Sequence, residues 1–186
     1  PRSSSSAASD VYKRQLHTDN MSKIFILSAG TSPDSHNNQL AKHLSNYFEK
    51  KGLENVLFDN LYSDIQFLLD TYDDVPEKIL EMRKSLEASE KIIIFSPVYN
   101  GGFLAHLKNT LDWLSLAYDE NRYSALFKEK KVAVVTTVKG AGSNAKKAFE
   151  ILSMQLSNYD LQVFEKFHLI TLSLIHISEP TRLSLI

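Results

Sequence analysis

Apolar residues in this chain form short continuous runs that alternate with stretches of helical period. The runs at 23–28, 92–95 and 132–137 are apolar at nearly every position, which is typical of strands covered on both faces of a parallel sheet. Between them, apolar residues recur every three or four positions, as on one face of a helix. A shorter run at 55–59 and a mixed one at 161–169 predict two further strands nearer the edges of the sheet.

This alternation predicts an α/β domain with a doubly wound parallel sheet of five strands. A single domain of this size favours the flavodoxin-like strand order 2-1-3-4-5. In such sheets, ligands bind outside the carboxyl ends of the strands, next to the neighbouring first and third strands. The loops after those two strands are therefore candidate binding segments.

The first of these loops, residues 29–38, is rich in turn and capping residues and leads into a helix. Free N–H groups at a helix N-terminus and the helix dipole favour an anion, so phosphate is a natural ligand here. An alternative is that Ser35 or Asn37 only caps the helix. The loop is neither a Walker A sequence nor G-x-G-x-x-G, so ATP and a Rossmann-bound dinucleotide are poorly supported. Candidate ligand-binding residues in it are Thr31, Ser32, Ser35, His36 and Asn37.

The loop after the third strand begins at Pro97, which ends the strand because proline has no N–H. Asn100, Gly101 and Gly102 then permit a tight turn with unshielded backbone amides. From Phe103 onward the apolar period is helical. An ordinary strand–turn–helix junction is the alternative interpretation. Candidate site residues in this loop are Pro97, Val98, Tyr99, Asn100, Gly101 and Gly102.

A third glycine-containing loop, residues 138–143, follows the fourth strand at the same edge of the sheet. We expect Thr136, Thr137 and Gly140 to flank a bound ligand there, through hydroxyl groups and backbone amides. The alternative is a bare connection between a strand and a helix.

Composition narrows the possible functions. The chain has 186 residues, 43% of them hydrophobic, which suits one globular domain with a sizeable core. Its formal net charge is −1, whereas a nucleic-acid binder is expected to carry a basic face, so this class of function is disfavoured. The absence of cysteine excludes disulfides, thiolate zinc sites and Cys-ligated iron–sulphur clusters. No run approaches the length of a transmembrane helix, so we expect no membrane span and a cytoplasmic protein.

Two motifs carry a resemblance to a known family. The run 97–102, PVYNGG, is followed by Leu107-Lys108-Asn109 and Asp112-Trp113, and this pattern resembles the signature of the NAD(P)H-dependent FMN reductases. That flavodoxin-like family includes azo-dye, quinone and chromate reductases. The first loop, Ser35-x-Asn37-x-x-Leu40-Ala41, is similar to the family's phosphate loop. Two departures are Val98, where the family often has glutamate, and the lack of the arginine often found near position 32.

The resemblance implies that the chain binds FMN and passes hydride from NADPH or NADH to the flavin, and then electrons to a quinone, azo or similar small-molecule acceptor. It places the phosphate at the first loop and the flavin ring at Tyr99, Asn100 and Gly101. It also implies a homodimer with its interface near Lys108 and Trp113, although Trp113 is equally a candidate core residue. A flavodoxin-like electron carrier without nicotinamide chemistry, or a truncated fragment unable to retain FMN, are the competing interpretations.

The sequences at both ends of the chain do not resemble parts of the domain. Residues 5–15 and 172–182 resemble in-frame translations of the adapters used for sequencing libraries. We therefore expect residues 1–20 and 172–186 to be non-native extensions and residues 21–171 to form the flavodoxin-like, FMN-binding domain. The family's last helix, which covers the final strand, would then be missing.

Overall fold

Strands and helices alternate along the chain as the hydrophobic pattern predicts. The computed structural model describes residues 23–70, 74–139, 144–165 and 168–172. The predicted extension at 1–20, residues 173–186 of the predicted extension 172–186, and Gly140 lie outside the described residues, whereas Leu172 is described. In chain order the elements are β1 (Lys23–Ser28), α1 (His36–Lys50), β2 (Asn55–Phe58), α2 (Glu77–Glu87), β3 (Ser89–Pro97), α3 (Ala105–Ser115), β4 (Lys131–Lys139), α4 (Ala145–Ser157), β5 (Gln162–Val163) and β6 (His168–Leu172).

The sheet confirms the predicted topology. Its strands follow the order β2-β1-β3-β4-β5, and the described pairings are all parallel. Ser28, at the end of β1, pairs with Phe95 of β3, and Ser96 pairs with Thr136 of β4. The loops after β1, β3 and β4 therefore leave the sheet side by side. Of the four helices in the described residues, none is long and apolar enough to cross a membrane.

The last strand differs from the prediction of one uninterrupted strand. Val163 of β5 is opposite Val132, and His168 of β6 is opposite Val135, so both short strands pair with β4. From the first of these pairs to the second there are three residue steps along β4 but five along the segment from β5 to β6. The two registers therefore differ by two residues, so β5 and β6 cannot form one continuous ladder with β4.

The core lies on both faces of the sheet, which explains the continuous apolar runs. Ile92 and Ile94 of β3 belong to the larger core cluster, which also holds large apolar residues of α2, α3 and α4. Phe95 belongs instead to a smaller cluster against Ala41 of α1. Because successive side chains of a strand point to opposite faces, each central strand must be apolar at every position.

The acidic segment between β2 and α2 is partly buried. Leu61 and Ile65 are buried, and the side chain of Asn109 on α3 bonds the backbone at residues 66 and 68. Asp64 is exposed and pairs with Lys78 at 3.2 Å. In the described part of this segment, side chains from α3 satisfy backbone groups that a ladder would otherwise pair.

Candidate cofactor site at the carboxyl edge of the sheet

One amide side chain organises the segment between β1 and α1. Asn38 is fully buried, and its Oδ1 accepts a hydrogen bond from Ser28 Oγ at 2.7 Å. Its Nδ2 donates to the carbonyl of Ser32 at 2.8 Å, and its backbone N–H donates to Ser35 Oγ at 3.3 Å. These three bonds fold residues 29–35 closely onto the first turn of α1.

The same network leaves no room for a side chain at Gly30. A Cβ atom there would lie 1.9 Å from Ser35 Oγ and 2.5 Å from Asn38 Oδ1. Glycine is required because the backbone approaches the helix so closely. The peptide groups of this segment are thus held against the helix N-terminus, where an anion is favoured.

Asn37 presents a buried acceptor at the same helix end. The residue is 4% exposed, and its Oδ1 has no hydrogen-bond partner in the part of the chain that the structure describes. Ser35, not Asn37, is the N-cap residue of α1. A buried polar atom without a partner costs about 1–3 kcal/mol, so a ligand group that donates to Asn37 would remove this cost.

The loop after β3 forms a tight hairpin-like turn. The N–H of Tyr99 donates to the carbonyl of Gly102 at 3.1 Å, and the N–H of Gly102 donates to the carbonyl of Tyr99 at 2.9 Å. Asn100 and Gly101 have positive φ angles of 50° and 78°, as in a type I′ turn, which favours Asn-Gly. The N–H of Gly102 is therefore used within the turn, whereas those of Asn100 and Gly101 have no backbone acceptor among the described residues.

Two contacts join the loops after β1 and β3. The hydroxyl groups of Thr31 and Tyr99 lie 3.3 Å apart at the surface. In the interior, His106 Nε2, in the first turn of α3, lies 3.2 Å from the carbonyl oxygen of Ala29. The structure therefore brings the two strongest candidate segments into one site.

The surroundings of His106 shift the pKa of its imidazole. Burial lowers the pKa of the imidazole below its usual value, and the bond to Ala29 partly opposes this. A carbonyl oxygen accepts hydrogen bonds only, so Nε2 carries the proton. The imidazole ring of His106 also packs edge to face with the ring of Tyr62, with the two ring centroids 6.0 Å apart and the ring planes at 75°.

Of the residues predicted to flank the ligand after β4, the structure describes Thr136 and Thr137. Thr136 and Thr137 lie opposite Ser96 and Pro97 in the sheet and are 3% and 4% exposed. They are adjacent to the turn after β3 but are buried within the strand. Gly140 lies outside the described residues.

The predicted site residues fall into three groups. Most of the first loop and the turn is accessible, with Thr31, Ser32, Tyr99 and Asn100 exposed and Ser35, His36, Pro97, Val98 and Gly102 half-buried. Asn37, Gly101, Thr136 and Thr137 are buried. The sequence did not single out the residues that hold the site together, which are Ser28, Gly30, Asn38, Tyr62 and His106. The available signals were a glycine two residues after the end of a strand and a pair of asparagines at the start of a helix.

The charge around the first loop is low. Asp34, which is exposed, is the only formally charged residue in 29–38. An anion bound here would be held by hydroxyl groups, backbone N–H groups and the end of the α1 dipole, without a full positive charge from this loop.

The family model described as NADPH-dependent FMN reductase matches residues 22–166 of the chain. The chain is also similar to an FMN-dependent NADPH-azoreductase of Staphylococcus aureus, with 25% identity over 118 residues. That match covers 61% of this chain and 58% of the azoreductase, so it spans less than two thirds of that curated relative.

Solved structures share the fold. The flavoenzyme NAD(P)H:(acceptor) oxidoreductase FerB of Paracoccus denitrificans superposes with a TM-score of 0.64 at 24% identity, over 80% of this chain and 78% of that one. An FMN-dependent NADH-azoreductase of Bacillus anthracis, solved in complex with FMN, gives a TM-score of 0.52 at 16% identity, over 76% of this chain and 85% of that one. At these identities the likeness shows the architecture alone.

Proposed function

We propose that this chain, which belongs to the NADPH-dependent FMN reductase family, binds FMN and passes electrons from NADPH or NADH to a small-molecule acceptor. Quinones and azo compounds are the proposed acceptor classes. The relatives named as FMN-dependent azoreductases and as an NAD(P)H:(acceptor) oxidoreductase support this proposal.

The observation that carries the proposal is the unpartnered, buried Oδ1 of Asn37 at the N-terminus of α1. FMN combines a phosphate with a chain of hydroxyl groups, and hydroxyl groups can donate to such an acceptor. The residues present fit this ligand. Backbone N–H groups at the start of α1 and the hydroxyls of Thr31, Ser32 and Ser35 would hold the phosphate end.

The turn 99–102 would hold the flavin ring. Bound flavin supplies the chemistry of the reaction, since it can take up hydride from a nicotinamide and release electrons to an acceptor. The chain positions and polarises the ring. The N–H groups of Asn100 and Gly101 would donate to its polar edge and stabilise added negative charge. Tyr99, a residue that is 51% exposed, would pack on or beside the flavin.

Two further properties belong to the proposal. We propose that the chain is cytoplasmic and that it forms a homodimer. Light scattering on the purified chain would test the dimer. Trp113 is fully buried within one protomer, which supports its interpretation as a core residue rather than as an interface contact. Lys108 is half-buried and pairs with Asp112 on its own helix.

The test uses the full chain, loaded with FMN and desalted, before and after addition of NADPH. We expect a retained flavin spectrum that bleaches with NADPH. Retention without bleaching would indicate an electron carrier, and absence of retained flavin would contradict the proposal.

A matched pair of variants tests the role of Asn37. Asn37→Leu should weaken FMN binding at least tenfold, while the unfolding free energy of the FMN-free chain stays the same or rises, because the unpartnered polar atom is gone. Asn46→Leu, on an exposed position of the same helix, should leave FMN affinity unchanged. Unchanged FMN affinity in Asn37→Leu would refute the assignment.

A further inference from the structure

Both backbone polar groups of Ala29, the residue that leads into the first loop, are hydrogen-bonded. The N–H of Ala29 donates to the carbonyl of Phe95 at 2.8 Å, which continues the ladder between β1 and β3. The carbonyl of Ala29 accepts instead from His106 Nε2 at 3.2 Å, because the strands end here. Ala29 is fully buried, and the next residue is Gly30, which packs against the helix without a side chain.

We infer that His106, as a neutral Nε2–H donor to Ala29, is a positioning residue that sets the conformation of residues 29–35 and thereby the affinity of this loop for a phosphate-bearing cofactor. The part of this inference that concerns affinity rests on the proposed function. The part that concerns the loop rests on the contacts alone.

The internal bonds of the loop cannot do this task. Asn38 ties Ser28 and Ser32 to α1, and all of these groups belong to the same β1–α1 unit. They fix the shape of the segment but not its position relative to the turn 99–102. That relation depends on contacts from the β3–α3 unit.

Of the two side-chain hydrogen bonds described between these units, the one from His106 has the stronger physical basis. The hydroxyls of Thr31 and Tyr99 lie 3.3 Å apart in an exposed position, where water competes for both groups. His106 is half-buried and Ala29 is fully buried, so fewer waters can replace their bond. The contact with the ring of Tyr62 further restricts the orientation of the imidazole.

The chemistry of the imidazole agrees with a neutral donor. Burial lowers the pKa of His106, so the uncharged form prevails at neutral pH. In this form Nε2 keeps its proton for the carbonyl of Ala29, and Nδ1 is left as an acceptor. Glutamine can place an N–H close to the position of Nε2, whereas methionine fills a similar volume without a donor.

The experiment compares His106→Gln and His106→Met with the wild-type chain. His43→Gln and His43→Met are matched controls, because His43 is exposed on α1. The first measurement is hydrogen exchange of residues 29–38 in the FMN-free protein, with β3 as an internal reference for global unfolding. The second is FMN affinity, followed by the quenching of flavin fluorescence.

We expect about fivefold faster exchange in residues 29–38 and about fivefold weaker FMN binding for His106→Met, the factor for one lost hydrogen bond. His106→Gln should restore both to near the wild-type values, and the His43 variants should change neither. Faster exchange in β3 as well would assign His106 a general structural role and overturn the inference.

The two readouts separate the inference from the proposed function. If the wild-type chain binds no FMN but His106→Met loosens residues 29–38 selectively, the function proposal fails and the positioning role stands. If exchange is the same in both His106 variants and the wild type, the inference fails, whether or not FMN binds. Equal FMN affinity in the wild type and His106→Met would remove the link between positioning and cofactor binding.

Discussion

Replacement of Gly30 by alanine should disrupt the loop after β1 through steric conflict alone. The added Cβ would lie 1.9 Å from Ser35 Oγ and 2.5 Å from Asn38 Oδ1, and both distances are well below any normal contact. The backbone on this side is fixed by the buried Ala29, so Ser35 and Asn38 must move. Gly30 is not one of the described residues with a positive φ angle, so an alanine there would add no backbone strain to the steric effect.

The magnitude follows from the bonds that this movement breaks. Loss of the Ser35 cap costs about 1 kcal/mol. Displacement of the Asn38 amide weakens its bonds to Ser28 and Ser32, which are worth about 1 kcal/mol each. Partial relaxation of the loop reduces the sum, so we expect Gly30→Ala to lower the free energy of unfolding by about 2–3 kcal/mol.

Urea denaturation of the FMN-free chain provides the assay. Gly102→Ala is the stability control, because its Cβ would meet only the Tyr99 carbonyl, at an ordinary 3.8 Å. Ser35→Ala alone should cost about 1 kcal/mol and should add little when combined with Gly30→Ala, since the first change already destroys the cap. Full additivity of Ser35→Ala and Gly30→Ala, or a Gly30→Ala variant as stable as Gly102→Ala, would refute this reasoning.

Three other substitutions test the surroundings of the site. Asn109→Ala removes two bonds to the backbone of residues 66–68 and should cost about 2 kcal/mol in urea denaturation. Burial raises the pKa of Tyr159, so the folded chain keeps a proton that the unfolded chain releases. Stability should therefore fall above about pH 10, and Tyr159→Phe should lack this loss. The lowered pKa of His106 has the opposite consequence, because the unfolded chain binds the proton more tightly. Unfolding free energy should fall below about pH 6.5 in the wild type, and His106→Gln should lack this contribution.

The sheet could be predicted from the sequence because its signals are local. Continuous apolar runs identified β1, β3 and β4, and the alternation of strands with helices in one domain of this size favoured the strand order that the sheet shows. The end of α1 was equally readable, since Gly52 follows the C-cap Lys51 with a φ angle of 71°, a conformation that glycine adopts without strain. The interruption between β5 and β6 was not readable, because it depends on the register against β4.

The location of the candidate site could be predicted from the sequence, but the contacts that hold its loops together could not. The turn after β3 followed from Asn100-Gly101, whose positive φ angles belong to a type I′ turn. The bond from His106 to Ala29 joins residues 77 positions apart in the sequence. A lone histidine on a predicted helix gives no sign of such a partner. The crowding at Gly30 likewise appears only once α1 has folded back onto the strand end.

The pattern L-K-N-x-x-D-W, from which a family resemblance was inferred, has a structural explanation in α3. Asn109 and Trp113 are four residues apart and so share one stripe of the helix, from which both donate to the carbonyl of Gln66. Lys108 and Asp112 form the adjacent stripe and pair at 2.5 Å, while Asp112 also accepts from the hydroxyl of Tyr159, at 3.1 Å. The spacing of the motif is thus the spacing needed to hold a loop on one side of the helix and the end of α4 on the other. His106 lies one turn earlier than Asn109, so the same helix also holds the first loop of the site. The motif that resembles a functional signature therefore acts by fixing the backbone of the segments that pack against α3.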